Sequence, residues 1–487
     1  MTWAVAGLMA VFAVVMGVAP SLLGAKISLM IFLAMLPLPL ILKDYRIGVV
    51  FLTLALPMSS MLPPIRGLNL LNFLTIATLG AFVLQGMFST TKTVWPPVRL
   101  LGCFLLPVTI GMVVAWPHIP EAARNYASSA TAAQAYEPAT YALNRFLKPL
   151  FYYVSYAFLL ANAIRGSQRP ERFIAVLAAS VLLPAMAVAY TVATYPGSLG
   201  DVIQDREFLA ARGMHANRFG LLFALACGPL LFVSGATTTR WLRWVTLLGF
   251  VAATVGLLLS FSRGALLAYL IVVSAYLLHH RRIRTMAAGA VLIGATLLAA
   301  PDAAKERFGT GLRADALSDT TDLAKDDLTA GRVHGWLLLL PEVARSPMLG
   351  RGLGSTQWSE AVAAGQYRAT HPHNIYLEIL MDLGMIGFAA MAYWIFRELR
   401  SLRRWGRDPG LSADMRGYFQ GARYALLGML AMAATTGDYM PYSGAHTYLW
   451  FMFGVLFAYG DGVVATTPEA ALPPSGPSLR RSAPPAA

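Results

Sequence analysis

The chain has 487 residues, of which 57% are hydrophobic and only 13% charged, against about a quarter charged in an ordinary soluble domain. A surface this apolar cannot face water, so lipid is its solvent and one polytopic membrane domain is predicted over residues 1–463. The formal net charge of +14 does not indicate nucleic acid, because the arginines sit in short segments between apolar runs, as in HHRRIR (279–284) and RELRSLRRWGR (397–407).

Apolar runs suited to crossing a bilayer fall at 2–18, 21–42, 46–62, 68–86, 98–115, 147–164, 173–194, 217–235, 241–260, 263–279, 285–301, 374–395, 417–436 and 446–463. An all-α protein of about 12 to 14 transmembrane helices follows, the lower figure applying if Pro-interrupted runs do not all span. The run 2–18 lacks a basic leader and a cleavage site, and reads as a retained helix. Cys103 and Cys227 lie inside apolar runs without metal-ligand spacing, which argues against a disulfide or zinc site. Two connections are long: 116–146, polar and Ala-rich, and 302–373, with mixed charges and a helix predicted over 332–345. The tail 464–487, rich in Pro, Ala and Ser, reads as disordered.

Orientation follows from Lys and Arg. Lys43 and Arg46, Lys92 and Arg99, Arg165, Arg169 and Arg172, Arg240 and Arg243, Arg281 to Arg284, and Arg397 through Arg416 all fall on alternate connections. With both termini cytoplasmic these connections lie inside, as the positive-inside rule requires. The long connections 116–146 and 302–373 then lie outside.

This topology puts Arg218, Arg263, Arg332 and His373 on the outer face. An arginine there offers a rigid fork of donors to phosphate oxygens, and helices starting there add backbone N–H groups and partial positive charge. A histidine titrates near neutrality and suits proton transfer. Plainer roles exist for each taken singly. An arginine at a helix end snorkels to lipid phosphates, Arg332 caps or pairs within its loop, and His373 precedes an Asn374 that caps a helix. Glu378 and Asp382 fall within the following span and are candidates to orient Arg218 or Arg263 or to pair with Arg423. His371 and the final outer loop (436–446) are candidates for the acceptor entrance; for Asp438, Tyr439 and His446 in that loop structural roles fit better. The acidic run Asp315 to Asp327 lacks calcium-loop spacing and reads as a solvated face.

From His373 the chain reads HNIYLEILMDLGMIGF: His-Asn, nine residues, Gly384, two residues, Gly387. This resembles the H-[NSQ]-x9-G-x-x-[GTY] signature of the O-antigen ligase and polymerase superfamily. Arg218-Phe-Gly-Leu-Leu222 is similar to that family's R-x3-L signature. FSRGALLAYL (261–270) and GRVHGWLLLLPEVARSPMLGRGLG (331–354) extend the likeness over about residues 200–400, with Ser-Pro where the family commonly has His-Pro. The resemblance implies a GT-C-like helical fold with one large periplasmic loop. It implies metal-independent glycosyl transfer, without cofactor, from a glycan on undecaprenyl diphosphate at the periplasmic face of the bacterial inner membrane. Arg218 and Arg263 would hold the diphosphate, Arg332 would shape the loop or touch phosphate, and His373 would assist deprotonation of the acceptor hydroxyl or otherwise stabilise the transfer. Asn374, Asp438 and His446 would support them, and Gly384 and Gly387 would allow close helix packing. The ligase reading, with lipid A–core as acceptor, fits the signatures best. Polymerisation of O-antigen or exopolysaccharide units, and transfer to protein hydroxyls, share them. A transporter or flippase would carry ionisable groups near the bilayer midplane in repeated halves, and neither is visible.

Overall fold

The computed structural model describes residues 37–61, 70–87, 92–129, 137–197, 208–209, 212–280, 332–367, 369–435 and 444–460. The predicted spans 2–18 and 285–301, most of 21–42, the first part of the large loop and the tail lie outside the described residues.

The described chain is helical: α1 (Leu38–Lys43), α2 (Tyr45–Ala55), α3 (Leu70–Gly86), α4 (Val98–Leu100), α5 (Leu106–Ala115), α6 (Ile119–Ser129), α7 (Pro138–Ala142), α8 (Lys148–Arg165), α9 (Arg172–Ala193), α10 (Ala216–Ala236), α11 (Arg240–Leu259), α12 (Arg263–His279), α13 (Arg332–Arg345), α14 (Glu360–Ala363), α15 (Ile375–Trp405), α16 (Ala413–Ala433) and α17 (Thr447–Tyr459). Among the described residues five stretches are long and apolar enough to cross a membrane: Val98–Tyr126, Arg172–Ala193, Ala216–Ala236, Arg240–Leu259 and Ile375–Trp405. Shorter apolar helices occupy Tyr45–Met58, Leu70–Gly86, Arg263–His279 and Thr447–Tyr459. The protein is an all-α polytopic membrane protein.

Two departures from expectation have simple causes. In the polar, Ala-rich connection 116–146 the described residues are largely helical, because α6 continues the helix begun at Val98 and α7 leads through a π-turn (Leu143–Leu147) into α8. Alanine is the strongest helix former, so polarity there marks an exit from lipid and not from helix. The predicted span 374–395 continues to Trp405, its last turns carrying Arg397, Arg400, Arg403 and Arg404.

The helices divide by burial. α10 is apolar all round and buried along most of its length, as befits a central helix. α11 shows the opposite arrangement: Trp241, Trp244, Leu248, Val251, Val255 and Leu258 form an exposed stripe at helical spacing, while Leu242, Gly249, Ala253 and Leu257 face inward. In water such a stripe would be an aggregation patch; in lipid it is an ordinary surface. α17 is buried against α8, where Gly454 lies on Ala157 and Leu160, and its Trp450 and Phe453 join Phe104 and Trp394 in an aromatic cluster with ring centroids 4.7–6.4 Å apart.

Close glycine contacts fix helix direction. Gly421 of α16 sits on Gly228 of α10, and Gly417 sits on Phe232 and Ala236, so these helices are antiparallel. Gly220 of α10 meets Ala265 of α12, and Gly235 meets Tyr276, so α10 and α12 are parallel. α15 runs antiparallel to α16, with Tyr376 against Leu430 and Trp405 against Phe419. α10, α12 and α15 therefore begin at one end of the bundle, where α16 finishes. The basic connections meet elsewhere: Arg46 lies against Gly166, Val94 pairs with Asn162, and Arg99 with Glu398 at 2.8 Å.

The α10–α16 crossing yields a first prediction. A Cβ on Gly421 would strike the Gly228 carbonyl and the Pro229 Cα, backbone that cannot swing away. Gly421→Ala is expected to cost about 1–3 kcal/mol by overpacking, read as a lower Tm of the detergent-solubilised protein. Gly80→Ala on α3, where a Cβ meets open space inside a helix, is expected not to lower Tm and to raise it slightly through helix propensity.

Candidate active site

The site is built from helix beginnings. Ser262 caps α12, accepting from the Ala265 N–H at 3.4 Å, and donates to Asn217 Oδ1 at 3.0 Å. Phe261 turns the chain with φ +51°, and the absence of a side chain at Gly220 lets the start of α10 rest on Ser262 and Ala265. These contacts hold Arg218, third residue of α10, and Arg263, first residue of α12, at the same end, both half-buried. The charge of Arg218 reaches Tyr153 of α8, whose hydroxyl shares hydrogen bonds with Ser59 and Thr447.

Arg332 opens α13 and donates through Nη1 to the Thr435 carbonyl, just past the end of α16. Its pKa is lowered, first by burial and next by the nearby charge of Arg263, with Tyr367 opposing. Two guanidinium groups thus share a partly dehydrated region, an arrangement that a bound anion relieves. Burial raises the pKa of the Tyr367 phenol; Glu378 adds to this and Arg332 opposes it.

α13 also docks the segment leading to His373. Trp336 donates through Nε1 to the Pro372 carbonyl at 2.8 Å, and the Tyr367 hydroxyl donates to the His371 carbonyl at 2.8 Å. His371 Nδ1 lies 2.9 Å from the Thr370 hydroxyl, and its ring packs edge-on to His373 at 4.2 Å. His373 itself has φ +55°, a conformation L-residues rarely adopt and one that concentrates at functional sites. Asn374 caps α15, its side-chain oxygen accepting from Tyr376 N at 3.0 Å and Leu377 N at 3.1 Å.

Eleven positions beyond His373 the helix breaks. Gly384 has φ +64° and ψ −171°, and α15 is two helices joined there. The carbonyls and amides freed by the break bond to the loop after α13. Arg351 N donates to Met381 O (2.7 Å), Gly352 N to Asp382 O (2.9 Å), Met385 N to Pro347 O (2.7 Å) and Ile386 N to Met348 O (3.2 Å). Leu353 N adds a bond to Gly111 O of α5 at 3.0 Å. Gly350, Gly352 and Gly354 all have positive φ, and Gly350 and Gly352 lie so close to Asp382 and Ala115 that a side chain would not fit. Gly384 is thus the seat of a loop, and not the helix-packing glycine that its apolar context suggested. The fully buried Asp382 accepts from Gly354 N (2.8 Å), Ser355 N (2.9 Å) and Ser355 Oγ (2.7 Å). It serves the loop, and Arg423, one of the arginines named as a partner for Glu378 or Asp382, lies over the Tyr424 ring at 5.4 Å.

Of the sequence-predicted residues, Arg218, Arg263, Arg332, His373 and Asn374 come to one end of the bundle. His446 is fully buried in the turn Gly444–His446 against α10, a core position rather than a rim one. Asp438 lies outside the described residues. Sequence reasoning missed Tyr367, the Thr435 carbonyl and the use of Asp382; only the spaced glycines at 350, 352, 354 and 384 signalled that backbones meet there. Burial pushes the Tyr141 phenol up to about 12, with Arg145 opposing and the charges of Asp382 and Glu378 adding to it, which puts α7 beside the same loop. Among the described residues no cluster of three or more His, Cys, Asp or Glu is arranged to hold a metal ion.

Three arginines at helix starts and the positive ends of α10, α12 and α15 gather donors and partial positive charge of a kind suited to an anion, at the end of the bundle where His373 precedes α15. A family model described as O-antigen ligase matches residues 248–392, a span that holds Arg263, Arg332, His373, the glycine loop and the Gly384 break. No curated protein matches the chain.

Proposed function

We propose that the chain, which matches the O-antigen ligase family model at residues 248–392, is a metal-independent membrane glycosyltransferase of the O-antigen ligase and polymerase superfamily. It transfers a glycan from undecaprenyl diphosphate to an acceptor hydroxyl on lipid A–core, at the periplasmic face of the bacterial inner membrane. The observation that carries this reading is that Arg218, Arg263 and Arg332 sit at helix N-termini, at the end of the bundle where α15 begins after His373.

In this reaction the acceptor oxygen attacks the anomeric carbon, and the bond from that carbon to the diphosphate oxygen breaks. His373 receives the acceptor proton, and the departing lipid diphosphate carries the electron pair. Negative charge grows on the leaving group in the transition state, where preorganised donors act most strongly. Arg218, Arg263 and the helix ends supply them, and Arg332 completes the field. No nucleotide-sugar is needed, because the activated bond is already in the lipid-linked donor.

Arg218→Ala is expected to cut transfer about 10²- to 10³-fold while the protein stays in the membrane. The test is a gel of glycan products from a deletion strain carrying each variant. Loss of a ligase leaves long chains on undecaprenyl diphosphate and none on lipid A–core; loss of a polymerase leaves single repeat units attached. Protein-dependent solute uptake with glycan unaffected would replace the enzyme with a transporter.

A further inference from the structure

We infer that Asp382 is a positioning residue that sets the orientation of the His373-bearing half of α15 through the glycine loop; this rests on the role proposed for His373. The break at Gly384 leaves Ile375–Leu383 as a half-helix of nine residues, no longer aligned by continuity with the inner half. Its outer-facing Leu377 and Met381 pack with Leu339 of α13 and Ala361 of α14 in a small core of their own, while Ile375, Ile379 and Leu383 face the main core. The half-helix is therefore clasped between the outer segment 332–373 and the membrane bundle, and its angle depends on what joins them.

That join is the loop 347–355. It takes four backbone bonds from the break, one from α5, and three more to the single buried carboxylate of Asp382. A carboxylate is suited to this task because all three partners are donors and both its oxygens accept. Asp382 lies nine positions along the helix from His373, roughly 13 Å at the α-helical rise, so it touches no reacting atom. A tilt of the half-helix about Gly384 would still carry the imidazole by an ångström or more, and such displacements can cost on the order of 10²-fold in rate. Arg332 is anchored separately on Thr435, and Arg218 and Arg263 on the α10–α12 contact, so diphosphate binding does not depend on this join.

The test measures turnover and KM for lipid-diphosphate-linked glycan on full-length protein in lipid vesicles, for D382N, S355A and H373A. In D382N an amide NH2 would be turned toward N–H and O–H donors, and one of the two accepting oxygens would be lost. D382N is expected to lower kcat on the order of 10²-fold with donor KM within about twofold. S355A, which removes one of the three bonds to the carboxylate and keeps the other two, is expected to lower kcat about tenfold with the same KM. Wild-type kcat in both variants, or a raised KM with unchanged kcat, would overturn the inference. So would loss of D382N from the membrane alongside wild-type turnover in S355A, which would make Asp382 merely structural. Inactive H373A with fully active D382N removes only this inference; fully active H373A removes the role of His373 and this inference together.

Discussion

His373→Ala is expected to reduce glycan transfer roughly 10²- to 10⁴-fold, the range spanned by a positioned general base, with protein abundance in the membrane unchanged. The reason for unchanged abundance is that the backbone around His373 is held without its imidazole. Trp336 binds the Pro372 carbonyl, Tyr367 binds the His371 carbonyl, and Asn374 caps α15 with two N–H contacts. The φ of +55° is imposed by these neighbours, and alanine is strained there as histidine is. The substitution removes the half-buried ring, including its 4.2 Å contact with His371. Loss of activity with normal abundance then reports on the imidazole. Surface glycan by gel and protein by immunoblot are the two readouts, and full glycan in H373A would show that another group takes the acceptor proton.

Gly384→Ala is expected to remove activity and stability together. The φ of +64° with ψ −171° is open essentially only to glycine, a strain of about 1–3 kcal/mol for any other residue. A Cβ there would also collide with the Met348 carbonyl and come within 2.5 Å of Gly350 N. The chain can escape only by straightening α15, which expels the loop and its four backbone bonds. Gly365→Ala separates the two effects: φ is +69° there, but nothing lies near the added carbon. G365A is expected to show a small fall in Tm with normal transfer, and G384A a larger fall with none. Equal Tm values for the two would mean that the loop is not seated at the break.

The membrane helices were legible because their punctuation is local. The run 263–279 coincides with α12, and 217–235 and 241–260 fall within a residue of α10 and α11, since Arg263, Arg218 and Arg240 mark where apolar character begins. The helix predicted over 332–345 is α13. Arg397 to Arg404 read as a loop because charge ends a membrane span, but charge does not end a helix, and α15 runs on. At the site, orientation and signature pointed to the arginines and His373, and the structure brings them to one end of the bundle. Their geometry was not legible. Asp382 meets partners 28 and 27 residues earlier in the chain, and nothing local to Met381–Leu383 announces them. A lone glycine in an apolar run reads as helix packing; only the positive φ of Gly384, opposite three more positive-φ glycines, shows that a loop is seated there.

The central claim is that the arginine end of the bundle, with His373 at its edge, transfers glycan from a lipid diphosphate. The most direct measurement is transfer of a labelled glycan from undecaprenyl diphosphate to lipid A–core by the purified protein in lipid vesicles treated with chelator. Label on the acceptor and free undecaprenyl diphosphate are expected with the wild-type chain, and neither with R218A or H373A. Absence of transfer by the wild-type chain, or undiminished transfer by both variants, would contradict the claim.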